Sequence, residues 1–202
     1  EKIKVPAAKV TILAVTKGRQ PLEIRECAKA GINLFGENRV QEALSKYPQI
    51  DGGRWQLVGH LQTNKVKPAL RIFDLIHSVD SLRLAEEIDR QADKLGKIQD
   101  ILLEVKTSLE PAKYGFAPQE LEAAVAGVMK FKNLNLKGLM TVAPVVGDPQ
   151  QARPFFRQLK NLRDQFDPGW LLSMGMSDDF EVAIEEGADI IRLGRIIFEE
   201  NV

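Results

Sequence analysis

Short apolar runs alternate with amphipathic, charged segments along this chain, and that alternation restricts the fold more than any other feature. Eight runs read as strands: residues 11–17, 34–37, 54–60, 75–79, 100–107, 136–143, 170–176 and 190–194. Between them the spacing turns helical. From Ser81 to Leu95, the residues Leu84, Ala85, Ile88, Ala92 and Leu95 share one face, with Ser81 placed to cap the helix and Gly96 to stop it. A second helix is predicted over Asp178 to Glu186, with Phe180, Ala183 and Ile184 inward and Gly187 ending it. Strands joined this way pair in parallel through right-handed crossovers. Eight strands with seven crossovers predict a single-domain (β/α)8 TIM barrel over residues 1–202, an open doubly wound sheet being the alternative. Barrels begin at about 200 residues, so the chain leaves no room for a second domain. The first strand starts about ten residues in and only eight residues follow the last, so a covering helix is expected to be shortened or missing.

Composition narrows the function classes. Lys plus Arg and Asp plus Glu total 28 each, and the formal net charge is zero. No basic footprint for nucleic acid or an anionic membrane is present. The one cysteine, Cys27, excludes an internal disulfide, fits a reducing compartment, and reads as helix packing beside Ala28. No apolar run is long enough to cross a bilayer and no signal-peptide pattern is visible, so a cytoplasmic protein is expected. Two histidines, without a cysteine or carboxylate cluster, offer no metal site.

Sites in barrels form where strands end and loops begin. Those ends carry Lys17, Gly36-Glu37-Asn38, Gly59-His60-Leu61-Gln62, His77-Ser78, Lys106-Thr107-Ser108, Thr141, Met174-Gly175-Met176-Ser177 and Arg192-Leu193-Gly194. An ammonium such as that of Lys17, at the end of a buried strand, is costly unless chemistry uses it. A Schiff base with an aldehyde cofactor is one such use, and a solvated strand end is the plain alternative. The loops after the seventh and eighth strands are the usual phosphate site of barrels. Ser177, just before a helix, and Gly194, which permits close backbone approach, fit such a cradle. Ser177 could equally be an N-cap, with Asp178 and Asp179 complementing the dipole; those acids would repel a phosphate.

An amine across the mouth from a phosphate site suits pyridoxal 5′-phosphate (PLP), whose pyridine nitrogen Arg192 could meet. An arginine keeps its proton and leaves that nitrogen neutral, which makes the ring a weak electron sink. Asn38 could hold the ring or its hydroxyl, or simply shape a turn. His60 and His77 could act as acid or base, or be hydrogen-bonded scaffold. Lys113 is expected to be solvated near the mouth, and Trp55 and Trp170 to be core.

Together these segments resemble the PLP-binding, PLP-homeostasis protein family. The matching pieces are Leu13-Ala14-Val15-Thr16-Lys17, Phe35-Gly36-Glu37-Asn38 with Gln41-Glu42, Gly59-His60-Leu61-Gln62-Thr63-Asn64-Lys65, and His77-Ser78-Val79-Asp80. They continue in the same order with Lys113-Tyr114-Gly115, Gly138-Leu139-Met140-Thr141, Leu172-Ser173-Met174-Gly175-Met176-Ser177 and Arg192-Leu193-Gly194, covering nearly the whole chain. The resemblance implies a barrel like the N-terminal domain of alanine racemase. It implies Lys17 as the aldimine lysine, Ser177 and the backbone around Gly194 as phosphate holders, Arg192 at the pyridine nitrogen and Asn38 lining the pocket. It also implies a mostly monomeric carrier or regulator of intracellular PLP. Such a protein affects amino- and keto-acid balance without established catalysis, with PLP-dependent apoenzymes as transient recipients.

Three departures from the family pattern stand out. Most of an extra helix before the first strand is lacking, and Phe198-Glu199 stands where Phe-Gly is usual. Arg195 stands where a small hydroxyl residue often follows Arg-x-Gly; it loses a hydroxyl contact to the phosphate but brings a cation that could strengthen it.

Two other readings share these features. A PLP-dependent amino-acid racemase needs acid/base groups on both faces of its substrate. Alanine racemase takes a tyrosine from a second domain; here only Tyr114, on a loop, could approach the mouth, Tyr47 being placed on a helix. An open mouth also admits water, which favours cofactor exchange over protected carbanion chemistry. A phosphosugar barrel enzyme using Lys17 on its substrate would share the phosphate cradle and be colourless.

Overall fold

The computed structural model describes residues 10–108 and 114–199; Lys113 and the segment before the first strand, where a shortened helix is expected, lie outside the described residues. Eight strands, β1 (Thr11–Val15), β2 (Leu34–Glu37), β3 (Arg54–Leu57), β4 (Leu75–Val79), β5 (Gln99–Glu104), β6 (Leu134–Met140), β7 (Leu171–Ser173) and β8 (Ile190–Leu193), close into a barrel in chain order. Every pairing is parallel, including the closure of β1 on β8, where Leu13 stands opposite Arg192. The open sheet is therefore excluded. Helices α1 (Pro21–Lys29), α2 (Val40–Lys46), α3 (Val66–Ala69), α4 (Leu82–Leu95), α5 (Leu121–Val128), α6 (Arg153–Asp164) and α7 (Phe180–Glu185) occupy the seven crossovers, and α8 (Arg195–Phe198) follows the last strand.

Alternate strand residues face opposite ways, and this divides the apolar residues into two clusters. The larger joins outward positions such as Ala14, Ile76, Leu103, Leu172 and Ile191 to the helices. The smaller, with Leu13, Leu75, Leu102, Met140 and Ile190, plugs the barrel. One step further along the same alternation come His77, Glu104, Ser173 and Arg192. The interior therefore changes from apolar to polar toward the carboxyl ends of the strands, and that change places the site.

The helix of residues 82–95 shows how local signals set the frame. Ser81 Oγ accepts the Leu84 amide at 3.3 Å, and Gly96 adopts a left-handed φ of 62° that a side chain would strain. Leu84, Ala85, Ile88 and Ala92 are buried as expected, whereas Leu95, on the last turn, is exposed. The strands are mostly shorter than the apolar runs at their carboxyl ends, β1 stopping at Val15 and β7 at Ser173, because the polar residues there leave the ladder for the loops. Trp55 is core, while Trp170 is only half-buried and stacks on Phe166 with centroids 5.9 Å apart. Cys27 is buried, and that burial raises its thiol pKa, as inert packing requires.

Replacing Ser81 with Ala should lower stability by about 1 kcal/mol, the usual worth of an N-cap. The urea midpoint would report it, with ligand affinity unchanged.

Candidate functional site

The polar layer inside the barrel is built around Arg192, which is 4% exposed. Its Nη1 donates to Ser173 Oγ at 2.8 Å and its Nη2 to the Thr141 carbonyl at 2.8 Å. Ser173 Oγ also lies 2.9 Å from His77 Nδ1, and His77 Nε2 lies 2.7 Å from Gln56 Oε1. Since Gln56 Oε1 can only accept, Nε2 carries the proton; Nδ1 then accepts from Ser173, whose own lone pair takes the Arg192 proton. The imidazole is neutral in this arrangement. Burial, aided by the Arg192 charge, holds its pKa well below the usual histidine range. His77 is therefore scaffold for Arg192. Burial also lowers the Arg192 pKa to about 10, which leaves the guanidinium charged at neutral pH.

Lys17 lies two residues beyond the end of β1 and is exposed, as the solvated strand-end alternative has it. It shares a cavity of about 390 Å³ with Asn38, Arg39, Val40, Gln41, Gly59, His60, Gln62 and Lys65. Asn38 lines that cavity, and its Oδ1 is buried without a hydrogen-bond partner. A Cβ on Gly59 would come within 2.3 Å of the Asn38 carbonyl oxygen, so only glycine lets these two loops meet. His60 Nδ1 pairs with Asp80 Oδ2 at 2.9 Å, and its ring stacks on Tyr114 at 3.8 Å between centroids.

The strands β7, β8, β1 and β2 are successive neighbours, so the loops bearing Ser177, Gly194, Lys17 and Asn38 are adjacent around the mouth. Gly194 packs on β1, its Cβ position lying 3.4 Å from the Val15 carbonyl oxygen. Ser177 is not the N-cap of the following helix. That helix starts at Phe180, its N-cap is Asp179, and Asp179 Oδ1 accepts the Met176 amide at 2.6 Å. The Ser177 hydroxyl turns instead toward the start of α8, with Oγ 3.5 Å from the Ile196 amide. Ser177 lines a second cavity, with residues 144–147 and 176–179 around it. Arg195 is ion-paired with Asp178, which offsets one of the two acids beside Ser177.

Two features escaped the sequence reading. Among the described residues Lys46 is a buried lysine, at 6% exposure, and its ammonium binds Thr16, next to Lys17 in the chain, with Glu37 and Glu42. The (i, i+4) spacing of Glu42 and Lys46 was the available signal. Glu104, on the inward face of β5, has a pKa raised to about 7 by burial first and then by Asp80, against the opposing charges of Arg192 and Lys106. Among the described residues, no group of three or more His, Cys, Asp or Glu side chains is placed to hold a metal.

The family described as alanine racemase, N-terminal domain, matches residues 1–201. A pyridoxal phosphate homeostasis protein of Aquifex aeolicus is 42% identical over 197 residues, covering 94% of this chain and 86% of the relative. The chain belongs to the pyridoxal phosphate homeostasis protein family. PipY, the COG0325 family member of Synechococcus elongatus PCC7942, superposes with a TM-score of 0.89 without PLP and 0.87 with PLP bound, at 38% and 37% identity. Both structures cover 96% of this chain and 94% of PipY. Alanine racemase of Clostridium difficile 630 shares the barrel at a TM-score of 0.80, with 13% identity over 96% of this chain and 53% of the enzyme, a likeness of fold alone. The family's members are named for homeostasis of the cofactor and not for a reaction.

Glu104 supplies a pH test of this site. Its folded pKa of about 7 exceeds its unfolded value near 4.5, so its stabilising contribution is full below that value and falls as pH rises through 7. Glu104→Gln should therefore gain stability over the parent as pH rises from 5 to 8, by about 3 kcal/mol at most. Denaturant melts across that range would show the difference opening.

Proposed function

We propose that this chain binds PLP covalently through Lys17 and serves homeostasis of that cofactor, and with it amino- and keto-acid balance, without turning over a substrate. The observation that carries the reading is the cavity that Lys17 shares with Asn38 and His60 where the strands end. The names of the relatives and the PLP bound to PipY point the same way.

The residues fit the cofactor. PLP supplies an aldehyde that a lysine amine captures reversibly with loss of water. Lys17 brings an exposed amine that a cofactor can reach from solvent. Ser177 and the backbone at Gly194 and Ile196 would receive the phosphate, with Arg195 able to turn from Asp178 toward it. Arg192 would meet the pyridine nitrogen; fixed by Ser173 and Thr141 and still charged, it can only donate there. Asn38 would take a donor from the ring's substituents.

The same geometry argues against a racemase. Tyr47 lies in a turn after α2, edge-on to Trp55 at 6.3 Å between centroids. Tyr114 is stacked on His60 and exposed to water. A half-open mouth of this kind suits handing PLP to apoenzymes, acting from a single chain inside the cell.

Added PLP should give a visible absorption band, and borohydride should fix the label on the peptide containing Lys17. Lys17→Ala should abolish the band and weaken binding about 100-fold, or about 2.7 kcal/mol. Alanine should exchange its α-hydrogen no faster than with free PLP. An absent band would sink the proposal, and rapid exchange would favour the racemase.

A further inference from the structure

A buried lysine ammonium is retained only where several acceptors meet it, and Lys46 has them from three elements. Its Nζ donates to the Thr16 carbonyl at 2.6 Å, to Glu37 Oε1 at 2.7 Å and to Glu42 Oε1 at 2.6 Å. Glu42 Oε1 also accepts the Gly18 amide at 2.6 Å. Thr16 Oγ1 donates to Glu37 Oε1 at 2.6 Å. The carbonyl bonded to the nitrogen of Lys17 and the amide bonded to its carbonyl carbon are thus tied to the same three side chains. The cluster holds both peptide groups that flank Lys17.

Its charges do not cancel. One ammonium faces two carboxylates. Glu42 is held below the usual carboxylate range because the Lys46 and Gly18 bonds outweigh its partial burial. Glu37 is raised by burial, which the Lys46 and Thr16 bonds only partly offset, and its Oε2 is buried without a partner. The other charged or titratable groups lining the cavity with Lys17 are Arg39, His60 and Lys65.

We infer that Lys46 is a positioning residue for Lys17: clamped between Thr16, Glu37 and Glu42, it fixes the backbone that carries the reactive amine and sets the charge beneath it. This inference rests on the reading of Lys17 as the PLP lysine, yet it is tested without PLP. Removing the cation leaves two carboxylates beneath Lys17, which stabilises an ammonium there. Removing a carboxylate does the reverse.

The experiment is competitive acetylation of the PLP-free protein with limiting acetic anhydride across pH, the Lys17 peptide being quantified by mass spectrometry. The pH midpoint of Lys17 labelling should rise by about half a unit in Lys46→Met and fall by about half a unit in Glu42→Gln. The double variant should return toward the parent. Lys46→Met leaves buried charge unpaired and could fail to fold; the Glu42→Gln shift, in a variant whose amide oxygen can still accept from Gly18, then decides alone. Opposite shifts from opposite charges are a signature that a merely structural role does not produce. An unmoved midpoint in Glu42→Gln, or shifts of one sign in both variants, would overturn the inference. Opposite shifts in a protein that PLP does not label on Lys17 would sustain the electrostatic link while removing the cofactor reading.

Discussion

A guanidinium enclosed by apolar strands has no bulk water to answer its charge, so fixed protein dipoles must do it. Arg192 is answered by the Thr141 carbonyl and by a chain that runs through Ser173 and His77 to Gln56, joining strands on several sides of the barrel. Each member of that chain is usable in only one protonation or tautomeric state. His77 must be neutral, Gln56 must present its oxygen, and Ser173 must donate a hydrogen bond to the ring. The arrangement makes the upper half of the barrel polar, and it holds a cation just below the mouth where a cofactor's ring nitrogen would lie.

Two lysines near the mouth divide two tasks that a single one could not perform. Lys46 is buried and spent on acceptors, so it is unavailable for chemistry and useful as a brace. Lys17 is exposed and unburdened, so its amine can react. A reversible carrier needs that combination, since a deeply desolvated reactive lysine would tie cofactor exchange to opening of the barrel. Gly59 completes the site by letting its loop approach the Asn38 backbone more closely than any side chain would allow.

Much of the fold was legible in the sequence because its signals are local. The apolar periodicity located eight strands, Ser81 and Gly96 bounded a helix, and strand–helix alternation implied parallel closure. Strand ends were overextended because the residues past the ladder, such as Thr16 and Lys17, are polar and turn into the loops. The site was legible by position and less so by environment. Lys17 and Asn38 share one cavity while Ser177 lines another and Arg192 is buried in the barrel; of the paired alternatives read from sequence, the exposed strand end holds for Lys17, and Ser177 faces α8 without capping the next helix. Burial of Lys46 depends on contacts 30 residues apart in sequence, to the Thr16 carbonyl, which no local pattern encodes.

The central claim is that one covalent link at Lys17 organises the mouth of the barrel around PLP. A crystal structure of the protein grown with PLP tests it most directly. The account predicts continuous density from Lys17 Nζ into the cofactor, with the phosphate against Ser177 and Gly194 and the ring nitrogen facing Arg192. PLP seated elsewhere, or at the mouth with Lys17 unattached, would contradict it.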